Sequence, residues 1–196
     1  GTRITLNAHA FREVGAVQYL ERTATLGGIE PNAPYTVDSA LPPELRKSSY
    51  GGSFTLNQTI ADDVLLVAIL GYEHLKQHYT SNSDMSPLRR NDATYDDRVA
   101  QGTAELRLQN ASPGPIDWVL GANIYRDNVR IESELDGADA LRTIIGADYT
   151  QRRRSLAGFA DGSIKLGHGW KIGAGARYTR DRTQSVSYTH LTLPTK

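Results

Sequence analysis

Histidines and clustered carboxylates are the side chains here with spacings that chemistry uses. His74 and His78 stand at i, i+4, the spacing with which a helix offers two imidazoles to zinc. His9, His168 and His190 are scattered. Asp92, Asp96 and Asp97 offer hard oxygens of the kind calcium takes, but lack the glycine-punctuated order of an EF-hand loop. They read as a solvated loop. Gly173-Ala174-Gly175 would cradle a phosphate only ahead of a helix, and no helical pattern follows it. There is no cysteine, which removes thiolate ligands and disulfides together. No catalytic set, no cofactor site and no metal site is expected.

The elements that carry these residues decide the matter. Between Thr103 and Asn128 the chain reads TAELRLQNASPGPIDWVLGANIYRDN. Ala104, Leu106 and Leu108 alternate with Thr103, Glu105, Arg107 and Gln109. After Ser112-Pro113-Gly114-Pro115, Ile116, Trp118, Leu120, Ala122 and Ile124 alternate with Asp117, Val119, Gly121, Asn123 and Tyr125. Period two is a strand's period, and the prolines interrupt the ladder, so this is a hairpin with one apolar and one polar face. On such strands His74 and His78 share a face but lie too far apart to grip one ion.

Seven strands follow from the same pattern, at residues 3–11, 49–60, 64–77, 99–110, 116–129, 152–165 and 170–181. Short connections (61–63, 111–115, 166–169) alternate with long polar ones (12–47, 78–98, 130–151). The period is about 50 residues, one hairpin plus one long loop. Residues 64–70 are apolar on both faces, which leaves their register open. Tyr50, Tyr72, Trp118, Tyr125, Tyr149, Trp170 and Tyr178 sit near strand ends, where a membrane barrel places its aromatic girdles. The expected fold class is all-β: an antiparallel up-and-down meander, a partial transmembrane β-barrel of about seven strands, open.

Composition bounds the rest. The 196 residues carry a formal net charge of zero, so no nucleic-acid partner is indicated. Mean hydropathy is −0.45, and no run of about 18 apolar residues occurs. That excludes a transmembrane helix but not a barrel, whose strands hide polarity on the inner face. The start, Gly1-Thr2-Arg3, is no signal peptide and reads as the cut end of something longer. A lipid-facing Arg or Lys at mid-bilayer costs about 2–4 kcal/mol. Glu105, Arg107, Asp117, Asn123, Lys171 and Arg177 are therefore expected to face the lumen. Arg152-Arg153-Arg154 closes a long loop and either meets anionic lipopolysaccharide or is solvated.

Three segments resemble the barrel of TonB-dependent receptors: residues 103–128, residues 155–181 (SLAGFADGSIKLGHGWKIGAGARYTRD), and residues 65–75 (LLVAILGYEHL) with its Gly-Tyr pair. The resemblance covers about two thirds of the chain; no plug domain or TonB box has a match. It implies uptake of a scarce small-molecule ligand (siderophore, cobalamin or oligosaccharide class) across a Gram-negative outer membrane. The implied partners are outer-membrane lipid, the receptor's own plug domain and, through the plug, TonB. A passive porin-type barrel and a soluble β-sandwich binding module are the alternatives. The barrel piece is assigned to residues 1–184. Residues 185–196, SVSYTHLTLPTK, resemble the adapter-derived ends of translated environmental reads. They are expected to be a non-native tail, unpaired or frayed from the last strand.

Overall fold

The computed structural model describes residues 1–16, 21–25 and 28–193. They build one sheet of seven strands: β1 (Thr2–Gly15), β2 (Glu44–Ala61), β3 (Val64–Asn82), β4 (Asp92–Asn110), β5 (Ile116–Asp136), β6 (Ile144–Gly167) and β7 (Trp170–Thr192). Order in space equals order in sequence, and every pairing is antiparallel. β1 and β7 are not joined, so the sheet is an open wall with two bare edges.

The short turns are tight and tied to one another. Asp62-Asp63 links β2 to β3 beyond a register shift between Thr59 and Ala61. His168-Gly169 links β6 to β7, and both adopt positive φ (52° and 84°), the geometry that suits a two-residue hairpin to strand twist. At the middle turn the Ser112 amide donates to the Asp63 carboxylate (2.9 Å) and the Trp118 amide to Asn110 Oδ1 (2.9 Å).

At the other end the strands overrun their expected limits. β3 continues to Asn82, β4 starts at Asp92, β5 reaches Asp136 and β6 starts at Ile144. The connections there shrink to residues 16–43, 83–91 and 137–143. Asp92, Asp96 and Asp97 thus lie on β4 and not in a solvated loop, and Arg152-Arg153-Arg154 lies within β6. The reason is physical. Alternation vanishes where both faces are polar, but backbone pairing needs no apolar residue once the neighbouring strand is extended too. The same holds for the tail. Ser185 to Thr192 continue β7 and ladder against Gln151 to Ile144, so that stretch is neither unpaired nor frayed. An unpaired edge accepts any extended segment.

Register partners in antiparallel strands share a face, so the pairing sorts every side chain. One face carries Ile4, Leu6, Phe54, Leu56, Leu66, Leu70, Leu106, Leu120, Ile124 and Ile172. Val64, Leu66, Ala68 and Leu70 take this apolar face, which fixes the register of residues 64–70. No second sheet covers it: Leu106 is 52 % exposed, Leu120 53 % and Ile172 63 %. A β-sandwich would bury these residues, so that alternative fails. On β5 the apolar stretch runs from Ile116 to Ile124, nine residues, within the roughly 9–11 that a tilted crossing needs.

Candidate functional site

The opposite face is polar, and its side chains hold one another. By register Glu105, Arg107, Asp117, Asn123, Lys171 and Arg177 share this face. Asp117, Lys165 and Lys171 meet near the short turns, with Lys171 Nζ 3.1 Å and Lys165 Nζ 3.6 Å from Asp117 Oδ2. Midway up, Arg177 donates to Asn123 Oδ1 (3.4 Å) and lies over the Phe159 ring, 5.6 Å from its centroid. Glu105 and Arg107 pair along β4, with Nε 2.6 Å from the carboxylate. That N–H is misaligned for a hydrogen bond, so the contact is an ion pair alone. The structure therefore gathers Asp117 with Lys171 and Asn123 with Arg177, and leaves Glu105–Arg107 as a separate pair.

A larger network sits just above these and was not anticipated. Asp127, whose side chain is 6 % exposed, receives Arg153 Nε (3.0 Å) and Nη2 (2.7 Å) on one oxygen. Tyr125 Oη lies 3.0 Å from that same oxygen and 3.3 Å from Gln101 Oε1, while Arg153 covers the Tyr125 ring at 5.0 Å. In the same row His9 Nε2 meets Glu73 Oε2 at 2.9 Å, across Gly51. A Cβ at position 51 would stand 2.7 Å from the Tyr72 carbonyl oxygen, backbone that cannot swing aside as the Glu73 carboxylate can, so the row needs glycine there. The signal was present in the sequence: Tyr125 and Asp127 stand two and four residues beyond Asn123, on the same alternation. Tyr125 and Tyr149 consequently leave the expected girdle, since both lie on the polar face and donate within it. Tyr50, Tyr72, Trp118, Trp170 and Tyr178 remain on the apolar face.

Higher still, Tyr79 and Tyr95 stack at 4.5 Å on the polar face. Beside them burial, and then Asp96, push the Asp97 carboxyl above its usual range, against the pull of a hydrogen bond from Gln77 (3.3 Å). His78 and Asp96 form an ion pair at 3.0 Å on the opposite face, and His74 packs against Tyr50 at 5.0 Å. The i, i+4 histidines are thus separately engaged. Among the described residues no group of three His, Cys, Asp or Glu gathers as a metal site would require.

The connections at this end interlock. Arg22, 5 % exposed, donates to the Glu30 carbonyl (2.6 Å) and to that of Met85. Asn82 donates to Asp92 Oδ1 (2.6 Å) and to the Ser86 carbonyl (3.0 Å). Arg89 bridges to Asp136 and Asp139, each at 3.5 Å. Asp92 is pushed up to about 6, first by desolvation and then by Asp84 and Asp136, against the hydrogen bond from Asn82 and the charge of Arg89.

An open antiparallel wall with one exposed apolar face and one internally paired polar face has known relatives. The structure is similar to the ferric yersiniabactin uptake receptor FyuA from Yersinia pestis, with a TM-score of 0.72 and 16 % identity. The match covers 98 % of this chain and 28 % of that one, so the chain spans just over a quarter of the receptor it matches. No curated protein matches the sequence. The family model described as TonB dependent receptor-like, beta-barrel, matches residues 5–195, and the chain belongs to that family.

Proposed function

We propose that this chain is part of the barrel wall of an outer-membrane receptor that imports a scarce small molecule, with energy delivered by TonB through a plug domain. The ligand class that fits is siderophore, cobalamin or oligosaccharide. The similarity to a ferric siderophore uptake receptor supports the first of these. The carrying observation is the inverted burial: apolar side chains half exposed on one face, and ion pairs such as Asp117–Lys171 and Asp127–Arg153 on the other. Lipid solvates the first face and a water-filled lumen the second. In this reading Glu105, Arg107, Asp117, Asn123, Lys171 and Arg177 line the lumen and contact plug or passing ligand, with no chemical step performed.

These 196 residues contribute no cysteine, and any elsewhere in the full-length receptor is first replaced by serine. Single cysteines at Asn123, Lys171 or Arg177 of the full-length receptor are expected to react with a charged, membrane-impermeant thiol reagent in intact outer membranes. Cysteines at Leu106 or Leu120 are expected to resist it. Equal labelling of the two sets overturns the lumen assignment. Energy-dependent uptake that survives deletion of TonB overturns the transport reading.

A further inference from the structure

The β4–β5 ladder ends, away from the short turns, on two carboxyl groups. Asp92 and Asp136 are register partners on its last rung and so share a face. Asp92 is 4 % exposed and the Asp136 side chain 20 %. Like charges placed opposite one another destabilise a sheet, and burial removes the water that would screen them. A third carboxyl group, that of Asp84, acts on Asp92 from residues 83–91. Glu134 lies two residues back along β5 on the same face. Arg89 stands against them and reaches Asp136 and, from residues 137–143, Asp139. Arg22, the one cation between residues 16 and 43, donates instead to the Glu30 and Met85 carbonyls.

This rung sits where three connections are tied together. Asn82 holds both Asp92 Oδ1 and the Ser86 carbonyl. The same Ser86 carbonyl accepts from the Ala40 amide (3.1 Å), which fastens residues 28–43 to residues 83–91. The Arg89 amide donates to Asp139 Oδ2 and the Asp139 amide to the Arg89 carbonyl, both at 2.9 Å, which fastens residues 83–91 to residues 137–143. Displacing the rung therefore loosens all three. Desolvation, then Asp84 and Asp136, push the Asp92 carboxyl up to about 6, against the hydrogen bond from Asn82 and the charge of Arg89. A carboxyl raised in the closed arrangement supports it while protonated. That support is lost as pH rises from 3.8 to about 6 and stays absent above.

We propose that this rung is an acid-fastened clasp, which holds residues 28–43, 83–91 and 137–143 together when its carboxyl groups share a proton and releases them when all are ionised. The clasp is a property of the wall and does not depend on what the receptor imports. To test it, spin labels are attached to Pro87→Cys and Ala140→Cys, both exposed sites, in the full-length receptor with any other cysteine replaced by serine. Distance distributions between the labels are measured from pH 4.5 to 7.5. One short distance is expected at pH 4.5. A second, longer component is expected to grow as pH rises, the ratio of open to closed populations increasing on the order of tenfold by pH 7.5. Asp92→Asn removes the ionisation and is expected to hold the short distance throughout, with less than about a twofold change in that ratio. If Asp92→Asn forms no barrel, Asp136→Asn takes its place and is expected to weaken the pH response by removing the opposing charge. A wild-type distribution that ignores pH overturns the clasp, as does one that closes as pH rises. A variant that follows pH as the wild type does overturns it equally. Each of these results leaves the uptake reading standing.

Discussion

Glu105 and Leu106 are consecutive residues of β4 and face opposite ways. Leu106 is 52 % exposed with nothing packed on it, while the Glu105 side chain is 30 % exposed and paired with Arg107. The contrast repeats on β5 and β6, where Leu120 and Leu156 are open and Asp127 is enclosed by Arg153 and Tyr125. A water-soluble fold reverses this distribution, because apolar area removed from water is its main source of stability. The two faces are solved for two solvents. One leaves apolar side chains where hydrocarbon satisfies them. The other pairs the charge it encloses most, Asp127 with Arg153, and leaves its more exposed charges within reach of water.

The largest break in this contrast comes from placing a charge on the wrong face. Arginine at Leu106, Leu120 or Ile172 of the full-length receptor is expected to cost about 2–4 kcal/mol near the bilayer midplane. Folded, heat-modifiable receptor should fall sharply in outer-membrane fractions. The same change at Thr55 or Asn123 is expected to be tolerated, since both share the polar face. Equal insertion yields for the two sets would refute the face assignment.

A smaller effect sharpens the account of the polar face itself. Gly121 pairs with Phe159, whose ring lies where a Cβ at 121 would go and also carries Arg177. Gly121→Val is expected to displace the ring and destabilise the barrel by about 1–3 kcal/mol. Phe159→Ala in the same chain should relieve much of that cost. A double-mutant cycle in thermal unfolding measures the coupling, and strict additivity would show that the ring is not held there.

The contrast also explains what was legible in the sequence. Wherever one face is apolar and the other polar, alternation fixes strand, register and facing, as at Ile116 to Ile124 and at Asp117, Asn123, Lys171 and Arg177. Where both faces are polar, the signal is lost although the ladder continues, so the upper halves of β4, β5 and β6 read as loop. The Asp127–Arg153–Tyr125 network lies at that boundary. Its partners come from different strands, and which cation reaches which carboxylate depends on register that no single strand reveals. Arg152, Arg153 and Arg154 read as one basic cluster; alternation divides them into two outward cations and one inward ion pair.

Above the band neither solvent rule applies, and stability depends on buried polar contacts. Asp92 shows this, since its carboxyl titrates near 6 in the folded wall against 3.8 when exposed. Between those values the folded state holds a proton that the unfolded chain has released. Stability is therefore lost as pH rises from about 4 to about 6, and stays lower above it. Asp92→Asn keeps the acceptor for Asn82 and removes the charge. The variant is expected to slow amide exchange at residues 82–92 at pH 7 and to match the wild type below pH 4. A wild-type segment 82–92 that tightens as pH rises through this window would contradict the sign.

The smallest expected effect tests the outward face at its far end. Val186 and Tyr188 continue β7 on that face beside Thr150 and Asp148. At comparable positions β4 and β5 present Asp96, Arg130 and Glu132 to the same side. The family match extends to residue 195, so a strand of this length suits the family; it is the side chains that stand out. An apolar pair above the lipid-facing band gains nothing from hydrocarbon and exposes surface to a polar layer. We propose that residues 185–196 are not the native continuation of β7. Sequencing the genomic locus past codon 184 is expected to show an extended strand with polar residues at positions 186 and 188. In the chain as it stands, Val186→Thr with Tyr188→Thr should change stability by no more than about 0.5 kcal/mol, as for a surface site without packing partners. Valine and tyrosine in the genomic sequence, or a large loss of stability in the double variant, would establish these residues as a working part of the wall.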